Sequence, residues 1–437
     1  MDSLTRKQPP RTPGGLARGI AGVPSVPANP RAGRAEGPFA RHIRQKCRSA
    51  QACVTFLAAL LTVMAPESLR AADAAKWAAF AVSPSTDDQE LPDIYNNIIV
   101  WQQFVAEFGD YDVYVADLNS PGDPVFLVLG DANDQKSPAV YGNTVVWQDF
   151  VVSGGSGDWD VRLADVTDRA DPRAWVVSDI VNIDEQYPAI SGNIVVWQDG
   201  AEGDFNIYGA DVTDPANPLE FSIANFEHDQ QAPAIYRTTV VWQDNYFGDA
   251  DILGGDIWQR DKPTDFAISV VEKEQQNPAV SGAYVVWQDN YFGDFDIYAA
   301  DISNPAAIRE SAIAARSSMQ INPDIDGNIV VWQDDKNGNW DIFGYNLTTH
   351  REFQITTDRH DQTAPAISGN IVVWQDNRDG NWQIYAVVLD GPEVAQCTSK
   401  PEGDANGDCV VDFADQALMA EHWLECGLDP QEACPPL

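Results

Sequence analysis

Seven short apolar runs recur along the chain, each ending in tryptophan and glutamine, and each framed by polar turns. The last copy, Pro365 to Tyr385, shows the grammar: Pro-Ala-Ile, a turn at Ser368-Gly369-Asn370, the apolar run Ile371-Val372-Val373-Trp374, a polar turn around Asp379-Gly380, then Trp382-Gln383-Ile384-Tyr385. A fourth short run, such as Phe353-Gln354-Ile355, precedes each proline. The tryptophans are Trp101, Trp147, Trp197, Trp242, Trp287, Trp332 and Trp374, and a proline stands nine residues before each. Their spacings are 46, 50, 45, 45, 45 and 42 residues, a period that marks a repeat architecture. β-Branched and aromatic runs punctuated by Gly and Asn predict four strands per repeat, joined by hairpins. The second run lacks polar alternation, which predicts a strand covered on both faces. A four-stranded unit of this size, stacked on like units, is a propeller blade.

The expected fold is therefore all-β: a seven-bladed β-propeller over residues 75–390, closed by an N-terminal strand. Phe80-Ala81-Val82 matches the fourth-strand runs Phe221-Ser222-Ile223 and Phe266-Ala267-Ile268, whereas the seventh copy has no fourth run of its own. Ala79 to Ser83 is expected to pair with the third strand of that copy, leaving no raw edge between the first and last blades.

Charge divides the chain. The net charge is −39, yet the first 72 residues hold 11 of the 27 Lys and Arg and only 3 of the 66 Asp and Glu. Arg41, Arg44, Lys46 and Arg48 precede the apolar run 52–65, and small residues follow at Ala71-Ala72. This is the pattern of a leader with a signal peptide, residues 1–74, and predicts export to an extracellular, periplasmic or cell-surface location. The apolar run is short for a bilayer span, so the mature chain is expected to carry no spanning segment. The acidic remainder argues against nucleic acid as a partner, since phosphate binding needs cations.

Residues 391–400 read as a linker and 401–437 as a small calcium loop-helix module. In GDANGDCVVDFADQALMAEHWLEC, Asp404, Asn406, Asp408, Asp412 and Asp415 fall at positions 1, 3, 5, 9 and 12 of an EF-hand-type loop. Val410, at position 7, would offer its backbone carbonyl, making calcium the expected cofactor. Phe413, Ala417, Ala420 and Leu424 would share one face of the following helix. Cys397, Cys409, Cys426 and Cys434 all lie in or beside this module, as disulfides do in small exported domains, with three pairings open.

The blade unit P-A-I-S-G-N-I-V-V-W-Q-D-N-R-D-G-N-W-Q-I-Y resembles the TolB-like propeller repeat, with seven copies here against the six blades of TolB itself. The tail resembles a dockerin calcium repeat, present once rather than twice. That resemblance implies attachment or assembly through a cohesin-like or surface receptor.

Strand direction places the loop before each proline and the turn after each tryptophan on one face. These carry repeated Asp-Gln and Gln-Asp motifs, which a repeat is expected to use structurally, Gln satisfying backbone groups between blades. Function is then expected from what breaks the symmetry. His228 and His360 occupy the same pre-proline position in only two copies, and the N-Y-F-G-D loops present Tyr246, Phe247, Tyr291 and Phe292. Aromatics beside carboxylates suit a protein or glycan surface. The expected function is a non-catalytic exported binding propeller. Two alternatives stand beside it: an enzyme degrading extracellular polysaccharide, either a metal-assisted lyase using such histidines or a glycoside-active propeller, and a purely structural cell-surface protein. No nucleophile motif such as G-x-S-x-G is present in the glycine-rich loop of the second repeat.

Overall fold

The computed structural model describes residues 77–390, apart from 121–124, 131, 154, 155, 202 and 261. The leader, the linker and the whole calcium module, with Asp404, Asn406, Asp408, Val410, Asp412, Asp415 and the four cysteines, lie outside the described residues.

Seven four-stranded antiparallel sheets form the blades of a β-propeller. Their first strands are Gln89–Tyr95, Gln135–Tyr141, Glu185–Ser191, Gln230–Tyr236, Gln275–Ser281, Gln320–Asp326 and Gln362–Ser368. Each of these lies against the first strands of the blades before and after it, and the first blade meets the seventh, so they form the inner ring. Second strands such as Ile194–Asp199 and Ile329–Asp334 are buried along their whole length, as their unbroken apolar pattern requires. The seven repeat tryptophans are fully buried between blades. Trp374, for example, packs with Val331, Ile342 and Phe353 of the sixth blade, and stacks at 6.3 Å on Tyr385 of its own third strand.

The seventh blade takes its fourth strand from the N-terminal side. Phe80–Ala81 pairs antiparallel with Gln383–Val388, Phe80 opposite Ala386 and Ala81 opposite Tyr385. This is the strand pairing that the sequence implied, with Phe80–Ala81 as the paired part of the expected Ala79 to Ser83.

The polar repeats turn out to be the fastening between blades. Each first strand contains a left-handed residue directly before its proline: Leu91, Ser137, Tyr187, Ala232, Asn277, Asn322 and Ala364, with φ between 49° and 53°. The ladder to the second strand shifts register there, since proline has no N–H to give and the preceding residue has turned away. The N–H so displaced points to the preceding blade. There the Gln after the tryptophan accepts it, through Gln102, Gln148, Gln198, Gln243, Gln288, Gln333 and Gln375, at 2.8–3.4 Å. Seven such bonds close the circle.

A second ring lies beside it. The pre-proline carboxylate of each blade accepts the backbone N–H that opens the third strand of the blade before: Asp134 from Tyr111, Asp184 from Trp159, Asp229 from Phe205, Glu274 from Ala250, Asp361 from Trp340 and Asp88 from Trp382, at 2.9–3.2 Å. The seam between blades five and six differs. Met319 occupies the acidic position, and its own N–H bonds to Asp335 Oδ1 at 2.9 Å. Both motifs thus satisfy backbone groups at blade seams, where an unpaired buried N–H would cost about 1–3 kcal/mol.

Candidate functional site

With the two rings committed to the fold, the loop face is distinguished by its fourth and fifth blades. The fourth blade's second strand ends in Asp244, buried under the hairpin, whose Oδ1 accepts the Tyr246 N–H at 2.8 Å. Gly248 then closes the turn at φ 99°, its N–H on the Asn245 carbonyl at 3.0 Å. A side chain is disfavoured at that backbone angle, which is why the motif reads N-Y-F-G. The turn pushes Tyr246 and Phe247 outward, 54% and 52% exposed, with rings edge to face at 5.0 Å.

His228 joins this patch from the preceding loop. Its backbone is left-handed, φ 82°, and its N–H is held by Asp204 Oδ2 at 2.9 Å. That fixes the ring against Tyr246, centroids 6.0 Å apart. Phe226, two residues earlier, is also exposed.

The fifth blade repeats the construction. Asp289 Oδ1 accepts the Tyr291 N–H at 2.7 Å, and Gly293 turns the chain at φ 114°. Tyr291 and Phe292 lie edge to face at 5.1 Å, but they part company in exposure: Phe292 is 57% exposed and Tyr291 half-buried. Lys273 links the two loops. Its N–H bonds to Asp249 Oδ2 at 2.6 Å, and its Nζ reaches the Asn290 carbonyl at 3.5 Å.

Beyond Phe292 an open pocket of about 340 Å³ is lined by Phe292, Asp294, Asp296, Ala315, Arg316 and Ser317. It lies at the seam where Met319 replaces the repeated acid. Asp296 faces Asp289 directly across the ladder, and its Oδ1 accepts the Arg316 N–H at 2.9 Å. Burial pushes both carboxyls up to about 6; backbone bonds oppose the shift, Asp296 adds to the rise at Asp289, and Asp294 adds to the rise at Asp296 while the Arg316 charge opposes it. Sequence reasoning passed over Asp294, Asp296 and Arg316. The signal was the broken repeat, Met319 where six copies carry an acid.

The two singled-out histidines have separate local partners. His360, on the seventh blade, places Nδ1 2.7 Å from Asp358 Oδ1. Burial would raise the Asp358 carboxyl, but bonds from the His360 backbone and ring hold it below its ordinary value. His350 lies by Tyr345 on the opposite face, Nδ1 to hydroxyl 3.3 Å. Among the described residues no group of three or more His, Cys, Asp or Glu side chains is placed to hold a metal ion. No helix among them is long and apolar enough to cross a membrane.

No family model matches this chain, and no curated protein matches it. Solved structures do. A puromycin-hydrolysing peptidase from Mycobacterium tuberculosis aligns at TM-score 0.54 and 11% identity, over 71% of this chain and 54% of its own, so this chain spans about half that protein's length. An oligogalacturonate lyase from Vibrio parahaemolyticus aligns at TM-score 0.53 and 9% identity, over 74% of this chain and 96% of the lyase. The propeller domain of the Trilobed protease from Pyrococcus furiosus, described as having an open velcro topology, aligns at 0.51 and 12%, over 73% and 98%. At such identities the likeness is one of fold. In this chain Phe80–Ala81 closes the seventh blade.

Proposed function

We propose that this chain is an exported, non-catalytic propeller that binds a protein or glycan through the loop face of blades four and five. The carrying observation is the aromatic patch of Tyr246, Phe247 and Phe292, exposed where the repeat's own polar groups are engaged in blade-to-blade bonds. Exposed aromatics are enriched in recognition surfaces, able to stack on a sugar or anchor a protein, and the neighbouring carboxylates offer hydrogen-bond acceptors. The test begins with an array of glycans and exported proteins probed with the mature chain. Tyr246→Ser with Phe247→Ser is then expected to cut affinity for any hit at least tenfold while moving stability by about 0.5 kcal/mol or less, as surface changes do. Full affinity in that variant would move the site elsewhere; loss of several kcal/mol would make the rings packing residues.

In the same proposal residues 401–437 form a dockerin-like calcium module that attaches the propeller to a cohesin-like or other surface receptor. Asp404, Asn406, Asp408, Asp412 and Asp415 would give side-chain oxygens and Val410 a carbonyl. Four carboxylates drawn together repel one another without a cation, so calcium and order in the loop are coupled. Calorimetric titration of the full chain is expected to show a calcium site in the range of extracellular modules, Kd about 10⁻⁴ to 10⁻³ M, absent in Asp404→Ala with Asp408→Ala. Equal titration of that variant would remove the module.

A second reading, a metal-assisted polysaccharide lyase, draws on the fold shared with the Vibrio enzyme. It requires turnover of a polyuronate that disappears on replacing His228 and His360 by alanine. A purely structural role would leave every array and activity assay blank.

A further inference from the structure

The pocket at the seam of blades five and six has a chemistry of its own. One wall is the ring of Phe292; the floor includes Asp296, only 2% exposed, with Asp294 two residues before it. The single cation in its lining, Arg316, is directed elsewhere. Its guanidinium pairs with both oxygens of Glu352 and lies 3.8 Å from Asp334, while Lys336 Nζ shares Glu352 at 2.9 Å. Toward Asp296, Arg316 offers its backbone N–H, which fixes one carboxylate oxygen and leaves the other acceptor for an incoming donor, and only a through-space share of its charge, which favours the ionised carboxylate. An aromatic face beside carboxylates attracts a cation twice, through the ring quadrupole and through charge. The volume lies at the small end of the roughly 300–1,000 Å³ typical of ligand pockets. A net charge of −39 also favours approach by a basic partner.

We propose that this pocket receives the cationic end of an arginine or lysine side chain from a partner protein, the charge against Asp294 and Asp296 and the side chain lying along Phe292. The inference rests on the reading of this face as a binding surface and selects a basic protein over a neutral glycan. Asp296 must be ionised to act, and burial has already pushed it up to about 6, so binding weakens as pH falls below that value.

The probe is N-acetyl-arginine amide, followed by saturation-transfer NMR and calorimetry on the full chain at pH 7.5 in 0.15 M salt. Its isostere N-acetyl-citrulline amide, uncharged, is the control. Binding of the arginine probe alone is expected, falling at least tenfold in Asp294→Asn with Asp296→Asn and about tenfold at pH 5. Asparagine keeps an acceptor for the Arg316 N–H. Should that double variant not fold, exposed Phe292→Ala carries the same expectation. Asp168→Asn, on an exposed loop of the opposite face, is expected to bind as the unaltered chain does. Equal binding of citrulline and arginine, equal loss in Asp168→Asn, or unchanged binding in the pocket variants overturns the proposal. Since Tyr246→Ser with Phe247→Ser leaves the pocket intact, a chain that binds a partner through those rings but ignores arginine refutes the pocket alone.

Discussion

Removal of residues 77–84 is expected to lower stability by roughly 3 kcal/mol or more, a fall of about 4–5 °C or more in Tm for a ring of this size. The segment does more than add two residues of ladder. Trp77 sets its indole edge against Phe353 of the sixth blade at 5.6 Å, and its Nε1 bonds to the Asp390 carbonyl at 3.0 Å and to Oδ1 at 2.9 Å. Phe80 and Ala81 cover the edge of Gln383–Val388, and Val82 N–H continues the ladder to the Ile384 carbonyl at 2.8 Å. Without them the seventh blade has three strands and an open edge, and it loses the Trp77 contact with the sixth. In a ring each blade is stabilised by its neighbours, so loosening one seam weakens all of them. Thermal unfolding of the truncated chain reads this directly, with Trp77→Ala expected to show about half the effect. An unchanged Tm would mean that the blade-to-blade bonds hold the ring without its clasp.

Much of this was legible in the sequence because repetition amplifies weak signals. One Trp-Gln pair says little; seven at a near-constant spacing fix strand number, blade number and the missing fourth run that Phe80–Ala81 fills. The structural role of the glutamines was legible too, though not its cause. That cause is the left-handed residue before each proline, occupied by Leu91, Tyr187 or Ala364, none of which announces a positive φ. Within the N-Y-F-G-D loops, composition could not tell that Phe292 faces water while Tyr291 turns partly inward, since a tight turn splits adjacent side chains. Nor could it show the pocket. Asp289 and Asp296 stand seven residues apart and become opposite partners only once the hairpin register is set. A site made where a repeat departs from its rule is read most easily after the rule's geometry is known.

The inner ring holds another departure, and it predicts a substitution that stabilises. After the proline of the first strand five blades carry alanine, Ala139, Ala189, Ala234, Ala279 and Ala366; blades one and six carry Asp93 and Asp324. Each carboxylate accepts an N–H from the next blade, Asp93 from Val140 and Asp324 from Ile367, both at 2.8 Å. These bonds favour the ionised form, but burial outweighs them and pushes Asp324 up to about 7 and Asp93 to about 6, with Asp93 and Asp326 adding to the shift at Asp324. The folded state therefore binds the Asp324 proton more tightly than the unfolded chain, whose carboxyl titrates near 3.8. Its contribution is most favourable below that value and is lost as pH rises to about 7, so stability falls with pH across this window. The rise from 3.8 to about 7 sets a ceiling of roughly 4 kcal/mol. Both carboxylates keep some access to water, which screens part of it, so about 2 kcal/mol is the expected size. Asp324→Asn keeps an oxygen for the Ile367 N–H and has no charge to bury. Denaturant unfolding is expected to find the variant about 2 kcal/mol more stable than the unaltered chain at pH 8, with the gain vanishing near pH 4. A gain independent of pH, or a loss at pH 8, would show that the Ile367 bond needs the carboxylate charge and that burial does not govern this residue.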